Sequence, residues 1–207
     1  MFFSFDGTDG VGKSTQIELF RQWLLDSGHD VLLCRDPGST ALGERLRELL
    51  LQKHDIAIDL RSEMFLYMTA RTQMVEEVIK PALKVGKTVI CDRYLLANIV
   101  YQGHAGGLEA DMIRQVGVVA TDGILPDLTI LLDMDVTHAR DRMDRELDRI
   151  ESQGLVYMEQ VRQGFLKESA LFPESIKVVN AAREVDEIHQ EIVELAKQFL
   201  GLSLIHI

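Results

Sequence analysis

Apolar residues along this chain alternate between short continuous runs and longer stretches of helical period. Phe2–Asp6 is the first short run and predicts a strand. A helical pattern follows over Thr15–Leu25, extending to about Asp26, where Ser27-Gly28 stops it. His29–Arg35 contains a second strand, VLLC, broken by Asp36-Pro37-Gly38. Thr40–Gln52 repeats Leu42, Leu46, Leu49 and Leu50 on one helix face. Leu60–Leu83 is a long helical stretch with a stripe of Met64, Tyr67, Met68, Met74, Val75 and Val78, and Pro81 predicts a kink near its end. Thr88–Cys91 is a third strand, ending in Asp92-Arg93-Tyr94, and Glu109–Thr121 reads as a helix. Asp127–Leu132 is a fourth strand. Ala139–Ile150 is dense in alternating charge, Val156–Leu171 is helical, Lys177–Val179 is a short fifth strand and Val185–Leu200 a closing helix. Strands this apolar, with helices between them, predict an α/β fold with a five-stranded parallel sheet flanked by helices.

Composition narrows the class. The 207 residues, without repeat or linker, suit a single domain over 1–207 with a sizeable core. Apolar content of 46% with 27% charged residues is that of an ordinary globular protein. A net charge of −11 argues against a nucleic-acid partner. Arg and Lys must then be concentrated locally wherever an anion is to be held. No run reaches the length needed to span a bilayer, so no membrane partner is expected. Gly12 and Lys13 interrupt the early apolar run, which speaks against a secretory leader and for a cytoplasmic protein. Cys34 and Cys91, at the ends of separate strands, read as buried thiols rather than a bridge. The six histidines (29, 54, 104, 138, 189 and 206) lack metal-ligand spacing and read as surface or loop residues. The apolar tail Ser203–Ile207 suggests no role.

Candidate chemistry starts with GTDGVGKS at 7–14, between the first strand and the first helix. It fits G-x-x-x-x-G-K-[ST], a loop whose backbone N–H groups cradle phosphates. Gly7, Gly10 and Gly12 let the backbone curl, and Thr8, Asp9 and Val11 complete the turn. Lys13 adds charge, Ser14 offers a hydroxyl to a magnesium ion, and Thr15 opens the helix whose dipole aims at the same place. In a parallel sheet, ligands gather at the carboxyl ends of strands. That rule also selects Arg35-Asp36-Pro37, Asp92-Arg93-Tyr94 and Asp133. Asp92 suits magnesium or its water, and the planar fork of Arg93 suits a second phosphate; a simple strand-end ion pair is the alternative. Arg140, Arg142, Arg145 and Arg149 form another cluster, with 142, 145 and 149 on one face if the segment is helical. Their acidic neighbours also fit a solvated, salt-bridged helix.

Several segments together resemble the thymidylate kinase family. They are GTDGVGKST, RDPGST at 35–40, YMTARTQMVEEVIKPAL at 67–83, DRY at 92–94, YQG at 101–103, PDLTILLD at 126–133, DRIE at 148–151 and NAA at 180–182. The resemblance implies a P-loop nucleoside monophosphate kinase fold with a lid at about 140–151, substrates ATP and dTMP, magnesium, and a homodimer. It implies that Asp9 contacts the sugar 3′-hydroxyl and that Tyr67 stacks on thymine, where many members have Phe. Arg35 and Arg71 are implied at the acceptor, Arg71 near base and phosphate, and Arg93 grips the dTMP phosphate. Asn98 and Gln102 border the base, and the ring of Tyr101 fills the space of a ribose 2′-hydroxyl. Asn180 and Ala181 border adenine. The phosphate loop has Gly10 where some relatives carry arginine, which leaves the lid, through Arg142 and Arg149, to supply that charge to the transferred group.

The activity so implied is transfer of the γ-phosphoryl of ATP to dTMP, catalysed by Lys13, Arg93, Asp92, Arg142 and Arg149, with Ser14 and Asp92 at the metal. Two rivals stay open from the sequence. One is another nucleoside or nucleotide kinase on the same fold. The other is a nucleotide-dependent switch or assembly protein, although the guanine-reading N-K-x-D signature is missing.

Overall fold

The computed structural model describes residues 1–53, 55–144 and 146–200. Position 145, the histidines at 54 and 206 and the tail at 203–207 therefore lie outside the described residues. Five parallel strands form one sheet: β1 (Phe2–Asp6), β2 (Val31–Arg35), β3 (Thr88–Asp92), β4 (Leu128–Asp133) and β5 (Ile176–Asn180), in the order β2-β3-β1-β4-β5. The expected strands are all present, each within a few residues of its expected bounds.

β1 is central and buried throughout, and its alternation divides the core. Phe3 and Phe5 point to one face and meet Ile17, Phe20 and Leu24 of α1 (Lys13–Asp26) and Ile188, Ile192 and Ala196 of α9 (Val185–Leu200). Phe2, Ser4 and Asp6 point to the other. There Phe2, Val89 and Cys91 pack on Met64, Met68 and Met74 of α3 (Leu60–Met74) and Ile113 of α6 (Ala110–Thr121). A third cluster joins Leu131 to Val161 and Phe165 of α8 (Leu155–Leu171). Cys34 and Cys91 are buried, unbridged and opposite one another in the β2–β3 register.

Three elements differ from expectation. The long helix is not simply kinked at Pro81. α3 passes into a π-helical turn at Val75–Ile79, and Pro81 sits in the first turn of α4 (Lys80–Lys84). Proline has no N–H for the carbonyl four residues back, and the wider turn accommodates that upstream. Second, α5 (Leu95–Asn98) runs into another π-helical stretch, Ile99–Ala105, where no element was foreseen. Third, the charged segment is not a continuous helix. α7 (Val136–Asp141) is capped by Asp135 and ends there; the described residues on either side of position 145 belong to no helix before a short 3₁₀ turn at Glu151–Gln153. Arg142 and Arg149 therefore do not share a helix face. α2 (Ala41–Leu51), capped by the Thr40 hydroxyl on the Gly43 N–H, packs against α3.

Candidate active site

The glycine-rich loop leaves β1 in a conformation that side chains oppose. Gly7, Gly10 and Gly12 have φ of 136°, 85° and 94°. A Cβ on Gly7 would lie 2.3 Å from the Leu132 carbonyl oxygen, and one on Gly10 would lie 2.0 Å from that of Ala139. Gly12 is the left-handed residue from which α1 starts. Lys13 folds back so that Nζ donates to the carbonyls of Gly7 (3.1 Å) and Thr8 (2.7 Å) and approaches Asp9 Oδ1 at 3.4 Å. Burial pulls its pKa down, and the nearby Arg93 adds to that.

Arg93 follows β3 with φ of 67°, strained for a bulky residue. Its guanidinium donates to the Gly7 carbonyl (2.8 Å) and Asp9 Oδ1 (2.7 Å) and lies 5.3 Å over the Tyr101 ring. Burial would raise the Asp9 pKa, but Arg93 and Lys13 outweigh it and hold the carboxyl well below the usual carboxylate range. Asp6 is a site residue that the motifs do not pick out. It is wholly buried, neither carboxylate oxygen has a hydrogen-bond partner among the described residues, and burial pushes its pKa up to about 7 despite Arg93 and Lys13. Its one signal was position: an acidic residue ending an apolar strand.

Two cavities meet at this point. The outer cleft, about 500 Å³, is lined by Asp9, Gly10 and residues 12–15 of the loop together with Arg35, Asp92 and Arg142, among others. The inner pocket, about 120 Å³, is lined by Tyr67, Arg71, Asn98, Tyr101, Gln102 and Asp148, among others. Asp9, Asp36, Arg47 and Arg93 line both. Arg47, from α2, was not singled out from the sequence because it follows Leu46 in a leucine-rich helix; its NH1 donates to the Pro37 carbonyl at 2.9 Å.

The inner pocket rests on a buried polar relay. Arg71, 1% exposed, donates through Nε to Asp36 Oδ2 (2.5 Å) and through NH1 to Asn98 Oδ1 (3.1 Å). Asn98 Nδ2 donates to Gln102 Oε1 at 2.6 Å, and Gln102 Nε2 to Glu63 Oε1 at 2.8 Å. Burial, then Glu63, pushes the Tyr67 hydroxyl well above its ordinary pKa, so the ring is uncharged. The Tyr101 hydroxyl is buried with no hydrogen-bond partner among the described residues.

The remaining expected residues are placed as follows. Ser14 and Asp92 both line the outer cleft, and Asp92 Oδ1 is buried and unpartnered among the described residues. Arg35 is half exposed and pairs with Glu44 at 2.7 Å. Arg142 donates to the Ala181 carbonyl at 3.3 Å. Asn180 accepts from the Ala182 N–H at 2.9 Å, and Ala181 is buried with its N–H on the Asp133 carbonyl. Asp133 itself is clamped by Arg162 at 2.7 and 2.9 Å. Arg149 is not among the residues lining the outer cleft; it donates to the Leu50 carbonyl at 2.8 Å and pairs with Glu63. Of the histidines read as surface groups, His104 is largely buried and bonded to Glu168 at 2.7 Å.

Similarity to known proteins gives the family. The family model described as "Thymidylate kinase" matches residues 5–192. The chain belongs to the thymidylate kinase family. A thymidylate kinase of Thermoanaerobacter sp. (strain X514) is 40% identical over 200 residues, covering 96% of this chain and 98% of that protein. One from Clavibacter michiganensis subsp. michiganensis is 44% identical, covering 97% and 96%. The crystal structure of thymidylate kinase from Ehrlichia chaffeensis superposes with a TM-score of 0.76 at 29% identity, over 95% of this chain and 98% of that one. The thymidylate kinase fold, a parallel sheet with a phosphate loop at its centre, is thus the fold of this chain.

Proposed function

We propose that this enzyme transfers the γ-phosphoryl group of ATP to the 5′-phosphate of dTMP, giving ADP and dTDP, a step towards dTTP. The observation that carries this reading is the meeting of the two cavities at Arg93. An outer cleft built on a phosphate loop suits a triphosphate, and an inner pocket with an aromatic wall and fixed amides suits a nucleotide base. Between them stand Arg93 and Arg47, cations that can hold two phosphate groups together.

The acceptor is a phosphate oxygen, already nucleophilic, so positioning and charge neutralisation do most of the work. The loop N–H groups of residues 10–15 and Lys13 hold the donor phosphates. Arg93 holds the acceptor phosphate and offsets the repulsion between two anions. Asp9 lies beside it, where a carboxylate can accept from the sugar hydroxyl. Tyr67 stacks on the base, Asn98 and Gln102 border its edge, and the Tyr101 ring disfavours a ribose 2′-hydroxyl by shape. Arg142 approaches the cleft from beyond α7 and stabilises charge on the group in transit. Arg35 supports the acceptor side through the loop after β2, and Asn180 and Ala181 border adenine.

Ser14 and Asp92 fit a hydrated Mg²⁺: both border the phosphate cleft, and an unpartnered carboxylate oxygen suits a cation or its water. Held by these residues, the ion would supply positive charge to the donor phosphates. The protein acts in the cytoplasm as a homodimer. Support for the latter is the exposure of Leu42, Phe65 and Val119 on the adjoining helices α2, α3 and α6, at 42%, 54% and 82%.

The test is a coupled assay with ATP and Mg²⁺ against dTMP, dUMP, dCMP, dGMP and thymidine. The reading predicts dTMP as preferred acceptor. In Arg93→Ala, kcat/KM for dTMP falls at least about 100-fold while the chain still folds. Preference for thymidine over dTMP, or near-normal turnover in that variant, contradicts it.

A further inference from the structure

One buried carboxylate joins the floor of the inner pocket to its wall. Glu63, in the first turn of α3, is 5% exposed, and its two oxygens serve different elements. Oε1 accepts from Gln102 Nε2 at 2.8 Å, and Oε2 pairs with Arg149 NH2.

The relay has a fixed direction. Arg71 can only donate, so Asn98 turns its oxygen toward Arg71 and its amino group toward Gln102. Gln102 must then turn its amino group outward, and that group needs an acceptor. An ionised Glu63 supplies one and has a second oxygen to spare. That oxygen holds Arg149, whose Nε donates to the Leu50 carbonyl and whose backbone N–H donates to the Leu51 carbonyl at 3.0 Å. Arg149 is flanked by Asp148 and Ile150, and both neighbours line the inner pocket. The wall formed by 148–150 thus hangs from Glu63 through Arg149, while the amide floor ends on the same carboxylate. A salt bridge this buried is costly unless both partners stay paired, which favours holding the two parts together.

We propose that Glu63 is a positioning residue for the acceptor nucleotide, fastening Gln102 and the Arg149-bearing wall into one unit. Arg149 then acts on the shape of the acceptor pocket and not on the transferred phosphoryl group. This rests on the dTMP reading of the inner pocket.

The test is a double-mutant cycle with Glu63→Gln and Arg149→Met. Glu63→Gln keeps an acceptor for Gln102 but removes the charge that holds Arg149. Each single change is expected to raise KM for dTMP about tenfold, with KM for ATP and kcat moving less than about threefold. The double variant is expected to be no more than about twofold worse than the weaker single, because both changes release the same wall. Multiplied losses, a matching rise in KM for ATP, or a kcat fall of about 100-fold in Arg149→Met at saturating dTMP overturn the proposal. Should a variant not fold, the unmodified protein decides. dTMP alone should slow hydrogen exchange of the Arg149 amide at least about fivefold, and no slowing overturns the proposal. A wild-type chain that phosphorylates dTMP while the cycle multiplies refutes only the role of Glu63. A wild-type chain that does not use dTMP refutes the activity itself.

Discussion

Arg93 carries the densest chemistry in the molecule. Its left-handed backbone places a long side chain back across the sheet end, where the Gly7 carbonyl and Asp9 receive it. Such strain persists where the surroundings over-determine it. Gly10 shows the converse demand, for no side chain at all. In Gly10→Ala, a Cβ at positive φ would strike the Ala139 carbonyl, so the loop and α7 must separate. We expect a stability loss of about 1–3 kcal/mol by urea unfolding and at least about a tenfold fall in kcat/KM for ATP. A normal ATP response would contradict this. Tyr101 should behave in the opposite sense. Its buried hydroxyl lacks a partner among the described residues, so Tyr101→Phe should raise nucleotide-free stability by about 1 kcal/mol. Lower stability in that variant would mean that the hydroxyl is satisfied in the folded protein.

The strands and long helices were legible in the sequence, because one-sided burial leaves a period in the residues. The segment from Leu95 to Ala105 was not. It is largely buried between the sheet, α6 and α8, and its polar residues Asn98 and Gln102 turn inward to buried partners, so polarity does not mark a solvent face. The charged segment failed for a different reason. Charges spaced as on a helix gave no apolar stripe to bury, and the chain after Asp141 is organised by tertiary partners instead. Those partners are distant in sequence: Arg149 meets Glu63 from 86 residues away, and Gln102 meets it from 39. Residue types on the site were readable, but such pairings were not. His104 and Glu168 are a further case, joining the π-helical stretch to α8 beside Arg114. Burial would raise the Glu168 pKa, but the hydrogen bonds from Arg114 and His104 win and hold it below its ordinary 4.5. The folded protein therefore binds the proton less tightly than the unfolded chain. This stabilisation is present above about pH 4.5 and fades as pH falls through the lowered folded value. Against Glu168→Gln, the native chain should lead in unfolding midpoint at neutral pH and lose that lead in acid. A constant gap across that range would contradict the assignment.

At the scale of the molecule, the parallel sheet brings four strand ends to one edge. β1 supplies the phosphate loop, β2 Asp36, β3 Asp92 and Arg93, and β4 Asp133. The net charge of −11 makes this local gathering of Lys13, Arg47, Arg71 and Arg93 more telling, since the surface at large would repel nucleotides. Rigid core on both faces of β1 keeps the two cavities in register, so donor and acceptor can be held at once without rebuilding the fold. Direct transfer between two bound nucleotides is what the proposed function expects of this arrangement. Initial rates measured while ATP and dTMP are varied together test it. Reciprocal plots should intersect, with ADP and dTDP released in equal amounts. Parallel plots, or ADP formed without dTDP, would contradict it.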